Sequence, residues 1–202
     1  MEKIDFKKKL KAFYSASAEE PVIVDVPVMN YLMIDGMGDP NKAQEYQEAM
    51  EALFSVAYAL KFMIKKGELA IDYGVLPLEG LWWADDMSDF IKGNKDKWKW
   101  TMMIMQPEYV TVELFNRAIE DVKKKKNPAA LYIMRFESFT DGLSAQIMHI
   151  GPYDTEGPTI EKLHHFIHEK GYKLRGKHRE IYLSDVRKAA PEKLKTIIRQ
   201  PL

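Results

Sequence analysis

Leu76-Pro77-Leu78-Glu79-Gly80-Leu81-Trp82-Trp83 and, in the second half of the chain, His178-Arg179-Glu180-Ile181-Tyr182-Leu183-Ser184 decide how this sequence folds. Both runs are rich in the aromatic and branched residues that favour strands, both follow a segment with helical spacing, and both hold one central acid. An ionised carboxylate in such a run must be paired, solvated in a cavity or partly protonated, so Glu79 and Glu180 are candidate site residues. The plain alternative is that either acid points outward from a half-buried strand, since side chains alternate between the two faces.

Outward from these runs the same order of elements appears twice. Segments 22–28 and 31–37 read as strands, punctuated by Pro27 and Asn30. Asp39 and Pro40 are an N-cap and a first helical residue for a helix over 40–66, whose apolar face is Tyr46, Met50, Leu53, Ala57, Leu60 and Ile64, and Gly67 stops it. Strands over 73–83 and 98–105 flank the polar loop 84–97. Thr111 caps a linking helix over 111–126, whose closing lysines, Lys123 to Lys126, complement the helix dipole and need no nucleic acid to explain them. Segments 131–136 and 143–150 read as paired strands joined through Asp141-Gly142, Pro158 opens a helix that Gly171 ends, and strands follow over 179–184 and 194–199.

Residues 22–106 and 131–200 therefore both read strand, strand, helix, strand, strand. The expected fold is α+β: a pseudo-twofold pair of ββαββ units in one domain over 22–202, after an N-terminal arm over 1–21. Antiparallel sheets backed by helices would leave a central ligand cleft, into which Glu79 and Glu180 converge as equivalent residues of the two repeats.

Composition narrows the partners. Among 202 residues, 30 basic and 30 acidic side chains cancel, so no overall field favours nucleic acid or an anionic membrane, and a small apolar ligand is the natural partner. No apolar run approaches the roughly 20 residues of a membrane span, and the charged N-terminus lacks a secretion-signal core, which points to a cytoplasmic protein. The absence of cysteine excludes disulfides, thiol nucleophiles and thiolate metal sites. His164 and His168 share a helix face without a third ligand, and Asp85, Asp86 and Asp89 lack regular ligand spacing, so neither set implies a metal. Gly36-x-Gly38 reads as a turn rather than a phosphate cradle, and no Gly-x-Ser-x-Gly elbow is present, so neither a cofactor nor a serine nucleophile is expected.

Several strings carry a family resemblance: Asp72-Tyr73, then Pro77 to Trp83, Trp98-Lys99-Trp100-Thr101, Gln106-Pro107-Glu108, Lys177 to Asp185, and Pro191-Glu192-Lys193-Leu194-Lys195-Thr196. Together they resemble the GyrI-like small-molecule-binding proteins, whose fold also serves as the effector domain of multidrug-sensing transcription regulators. The resemblance implies a cleft lined by aromatic rings with a deep glutamate, to which Glu180 corresponds by its motif. In the regulators that glutamate neutralises hydrophobic cations while the rings supply cation–π contact. Stand-alone members hydrolyse cyclopropane-containing, DNA-alkylating natural products. The segment before residue 22 is too short for a DNA-binding helix-turn-helix, so a complete regulator is not expected.

Opening an activated cyclopropane requires a positioned water, a base for it, and a donor for the distant carbonyl oxygen. Glu180 is the expected base and Tyr132 the expected donor, with Tyr73 an alternative donor or ligand contact. Trp82, Trp100 and Tyr182 are expected as flat walls and Glu79 as part of the opposite wall. The competing expectation is a non-catalytic binder of hydrophobic or cationic molecules in the same pocket, as a monomer or homodimer.

Overall fold

A computed structural model describes residues 2–86, 88–89 and 92–202. In chain order its first elements are β1 (Glu2–Ile4), α1 (Phe6–Lys9), α2 (Lys11–Tyr14), β2 (Val22–Val26), β3 (Met29–Met37), α3 (Gln44–Lys66), β4 (Ile71–Tyr73) and β5 (Leu78–Trp83). They are followed by β6 (Lys99–Gln106), α4 (Val112–Lys125), β7 (Arg135–Phe139), β8 (Gly142–Ile150), α5 (Gly157–Glu169), β9 (His178–Tyr182) and β10 (Lys195–Pro201). The architecture is α+β with mainly antiparallel strand pairing, and no helix among the described residues is long and apolar enough to cross a membrane.

The chain forms two compact units. The first comprises Met1–Lys9, Met29–Leu76 and Trp82–Phe139, and the second Leu10–Val28, Pro77–Leu81 and Thr140–Leu202. In the first, β3 lies between β6 and β7, antiparallel to both, while β1 pairs in parallel with β4. Its helix α3 buries Ala49, Ala52, Leu53, Val56, Ala57, Leu60 and Ile64, the three-to-four spacing of one inward face. Thr111 Oγ1 accepts the Leu114 N–H at 3.3 Å and so caps α4.

In the second unit β8 lies between β2 and β10, β10 pairs with β9, all antiparallel, and β5 lies beside β9. Helix α5 closes one face of this sheet by packing Leu163 and Ile167 against Ala145, Ile147 and Ile198, all fully buried. Each of the buried leucine and isoleucine side chains contributes about 1.5–3 kcal/mol through removal from water.

Four local expectations change. Asp39 does not cap α3: its carboxylate accepts the Asn41 N–H at 3.0 Å in an Asx turn, and the helix starts only at Gln44. The strand over 73–83 is two strands, β4 and β5, interrupted before Pro77, which has no N–H to donate. Part of 131–136 is a 3-10 turn, Ala129–Ile133, and β7 begins after it. Nor do β7 and β8 form a hairpin. The chain turns at Gly142, where φ is +64°, but both edges of β8 are occupied by β2 and β10 while β7 pairs with β3. Asp35 on β3 receives both terminal nitrogens of Arg135 on β7, at 2.6 and 2.9 Å, which holds that register. The opening strand of each sequence half, β2 or β7, thus pairs within the unit built mainly from the other half. Of the loop 84–97, Met87, Phe90 and Ile91 lie outside the described residues; so does Met1 of the arm.

Candidate active site

Strand β9 sends consecutive side chains to opposite faces, so Arg179 and Glu180 have different surroundings. Arg179 is level with Arg199 on β10, which is level with Gln146 on β8, and the three form a polar row on one face of the second unit's sheet. Arg179 donates to Glu79 through Nε at 2.9 Å and through Nη2, and to Asp141 Oδ2 through Nη1 at 2.7 Å. Arg199 donates to Gln146 Oε1 at 2.8 Å and to the Phe13 carbonyl on α2 at 2.6 Å. The Tyr14 hydroxyl completes the set, donating to Glu79 Oε1 at 2.7 Å.

Glu79 and Arg179 are 0% exposed, and two carboxylates face two guanidiniums, so the charges balance within a buried layer. Such a set costs several kcal/mol to desolvate and persists because every member is bonded. Both oxygens of Glu79 are therefore engaged within this set. Glu79 faces away from Glu180 instead of converging with it, because it is tied to the residue whose side chain leaves β9 on the other side.

The opposite face carries His178, Glu180 and Tyr182. Glu180 is level with Ile198, part of the core beneath α5, so its carboxylate lies on the helix-covered side of the sheet. It is 13% exposed. His178 Nε2 contacts its Oε1 at 3.2 Å, and the Tyr182 hydroxyl donates to its Oε2 at 2.7 Å. Strand spacing makes this clamp possible, since residues two apart share a face.

Glu156, at the start of α5, adds a second acid. It is 5% exposed, and its Oε1 is buried without a hydrogen-bond partner among the described residues. Its pKa is pushed up to about 9, first by burial and then by the charge of Glu180. The dipole of α5 favours an anion at this end by about 0.3–1 kcal/mol, too little to offset a burial penalty of several kcal/mol beside a like charge. Burial thus works against a charge on Glu156.

The surroundings complete the site. The Tyr153 ring meets that of Tyr182 edge to face at 5.6 Å, and its hydroxyl is pushed up to about 12 by burial and by Glu156 and Glu180, so it keeps its proton. His164 on α5 is held below the usual histidine range by burial and by His178 and His168, and its buried Nε2 has no partner among the described residues. His149 is satisfied by Thr159 and by the Pro152 carbonyl. Among the described residues no group of three or more His, Asp or Glu side chains is placed to hold a metal ion.

Of the sequence candidates, Glu180 and Tyr182 come together here and the remaining aromatic ones lie in the first unit. Trp100 is 0% exposed with its ring against Gly36, where a Cβ would come within 2.1 Å of it. Tyr46 meets Trp100 edge-on at 5.3 Å and Trp82 at 6.1 Å. Tyr73, 3% exposed, packs edgewise on Phe6 at 5.8 Å and on Tyr109 at 6.0 Å. Tyr132 is 86% exposed on the 3-10 turn, so the donor role expected of it has no buried setting. Glu156 and Tyr153 were missed because Pro152 to Pro158 reads as a polar loop. The available signal was a glutamate at the N-cap of α5, where Ser, Thr, Asp or Asn would normally cap and where this glutamate makes no cap bond.

Residues 19–202 match the family model of the GyrI-like small molecule binding domain. A Listeria innocua structure described as an uncharacterized conserved protein is 40% identical and superposes with a TM-score of 0.88 over 98% of both chains. Another from Listeria innocua, described as a hydrolase, is 40% identical with a TM-score of 0.85 over 98% of both chains. The EcmrR C-terminal domain shares the fold at 13% identity, with a TM-score of 0.56 over 90% of this chain and 96% of that one. No protein of curated function matches the chain.

Proposed function

Because the chain belongs to the GyrI-like small-molecule-binding family, we propose that it hydrolyses cyclopropanoid, DNA-alkylating compounds, with Glu180 as the base that activates water. The observation that carries this reading is a nearly buried carboxylate, clamped by His178 and Tyr182, in a unit that buries a second acid, Glu156, whose pKa burial pushes up. The similar Listeria innocua protein described as a hydrolase supports the reaction class. The family resemblance supports the substrate class.

In the proposed step the water oxygen bonds to the cyclopropane methylene as the strained C–C bond breaks. The bonding pair moves through the conjugated ring to the carbonyl oxygen, giving a phenolate, and the water proton passes to Glu180. Tyr153, whose hydroxyl stays protonated, takes the donor role expected of Tyr132 and stabilises that oxygen, which then gains a proton from solvent. The rings of Tyr153 and Tyr182 offer flat contact for a polycyclic substrate. An acidic site beside two aromatic rings also suits a hydrophobic monocation, so binding without chemistry is the second reading.

The test is incubation of purified protein with a spirocyclopropyl dienone, with products followed by mass spectrometry. Ring-opened, water-added product should form well above the buffer rate. Glu180→Gln should lower kcat by roughly 10²–10⁴-fold while ligand binding persists. Tight binding with no product above the buffer rate would leave the sequestering role in its place.

A further inference from the structure

Helix α3 buries one apolar face and carries a second apolar stripe on the other. Along that outer stripe lie Glu51, Phe54, Tyr58, Phe62 and Lys65. Tyr58 and Phe62 are each 47% exposed, and Phe54 is half-buried with its ring centroid 6.5 Å from that of Tyr58. We propose that this stripe is an interface between two copies of the chain, whose α3 helices pack antiparallel about a twofold axis at Tyr58.

The spacing is symmetric. At 3.6 residues per turn the five residues fall within about 40° of one line along the helix. They stand seven and four places before Tyr58 and four and seven places after it, with rings at the inner positions and opposite charges at the outer ones. A twofold contact is self-complementary, so each residue meets its counterpart across the axis. Phe54 then meets Phe62 of the second copy, Tyr58 meets Tyr58, and Glu51 meets Lys65.

Charge selects the occupant. The first three turns of α3 carry Glu45, Glu48 and Glu51 without a base, and the last two carry Lys61, Lys65 and Lys66 without an acid. Antiparallel pairing sets the acidic half against the basic half and also brings opposite dipole ends together. A membrane surface or a partner of one charge would match one end of the helix and be repelled by the other. Lys65 Nζ already donates to Asp72 at 2.7 Å, but its side chain is 32% exposed and an ammonium has three hydrogens, so a second carboxylate can be served. Lys61 and Lys66 each place Nζ 5.9 Å from the Phe62 centroid, which gives the rings a basic rim at this end.

The size of the face sets the strength. The 23 residues of α3 span about 34 Å, and with a width of about 10 Å one face offers about 350 Å² per copy. A standard interface buries about 800 Å² on each side, so the dimer is a weak one, with Kd on the order of 10–100 µM.

Sedimentation equilibrium between about 5 and about 500 µM should raise the average mass from that of one chain toward that of two. Tyr58→Glu, which sets two acids at the axis, and Glu51→Lys should each weaken association by roughly tenfold or more with the circular-dichroism melt unchanged. Combining Glu51→Lys with Lys65→Glu should restore association, while Lys61 keeps an ion pair on Asp72 at 3.4 Å. The chain has no cysteine, so Tyr58→Cys supplies a single thiol that should cross-link two copies on mild oxidation, whereas Val112→Cys, exposed on α4, should not. A single-chain mass throughout the range, association indifferent to Tyr58→Glu, or equal cross-linking through the two thiols overturns the proposal. So does binding to anionic vesicles by a chain that stays monomeric, which would assign this face to a membrane.

Discussion

Arg179 and Glu180 are neighbours in the chain with opposite fates, and the difference shows how far single residues can be read. That Glu180 is unusual follows from its apolar run, whereas its asymmetry with Glu79 depends on Arg179, whose side chain leaves β9 on the Glu79 side. Arg179→Met should destabilise the protein by about 3–5 kcal/mol, measurable by urea unfolding, because it leaves Glu79 and Asp141 buried with too little positive charge. Adding Glu79→Gln should recover part of that loss, since the uncompensated charge, and not the missing contact, carries most of the cost. Glu156 gives a stability signal with a definite sign. Below about pH 4.5 both the folded and unfolded forms hold its proton and its contribution is fully present; from there to about pH 9 the unfolded chain ionises while the folded one resists, so stability falls as pH rises. Replacing it in Glu156→Gln should flatten that part of the Tm profile between about pH 5 and pH 9, and an unchanged slope would show that Glu156 titrates normally.

Among the elements, helices were the most legible because their signals are local. The inward stripe of α3, the Thr111 cap of α4 and the Pro158 start of α5 all follow from side chains within a few residues of where they act. Strand partners were not legible in this way: Asp141-Gly142 is a turn, yet β7 and β8 part after it, since pairing depends on which edges the rest of the sheet leaves open. Helix α5 joins element and site, because its first turn places Glu156 and its buried face sets the height of that turn above the sheet. Leu163→Ala should cost about 2–5 kcal/mol. It should also lower turnover at a temperature where the fold persists, as seen by comparing kcat with the circular-dichroism melt; full activity in the folded variant would detach the site from the packing of α5.

For the whole molecule, the exchange of β2 and β7 makes each compact unit depend on residues from both halves of the sequence. Removing residues 2–28 should therefore strip the second unit of β2, of the Tyr14 hydroxyl on Glu79 and of the Phe13 carbonyl on Arg199. Amide protection in β8 and β10 should collapse in hydrogen exchange, and retained protection there would show that this sheet stands without its borrowed strand. The sequence by itself determined the α+β class, the doubled ββαββ order, the Thr111 cap and the prominence of Glu180, because periodicity, capping and turn chemistry act over a few residues. Only the tertiary structure decided that Glu79 is paired with Arg179, that Glu156 is buried, and that Tyr153 packs on Tyr182 while Tyr132 is exposed. Those outcomes depend on desolvation and on contacts between distant segments, which no local pattern in the chain specifies.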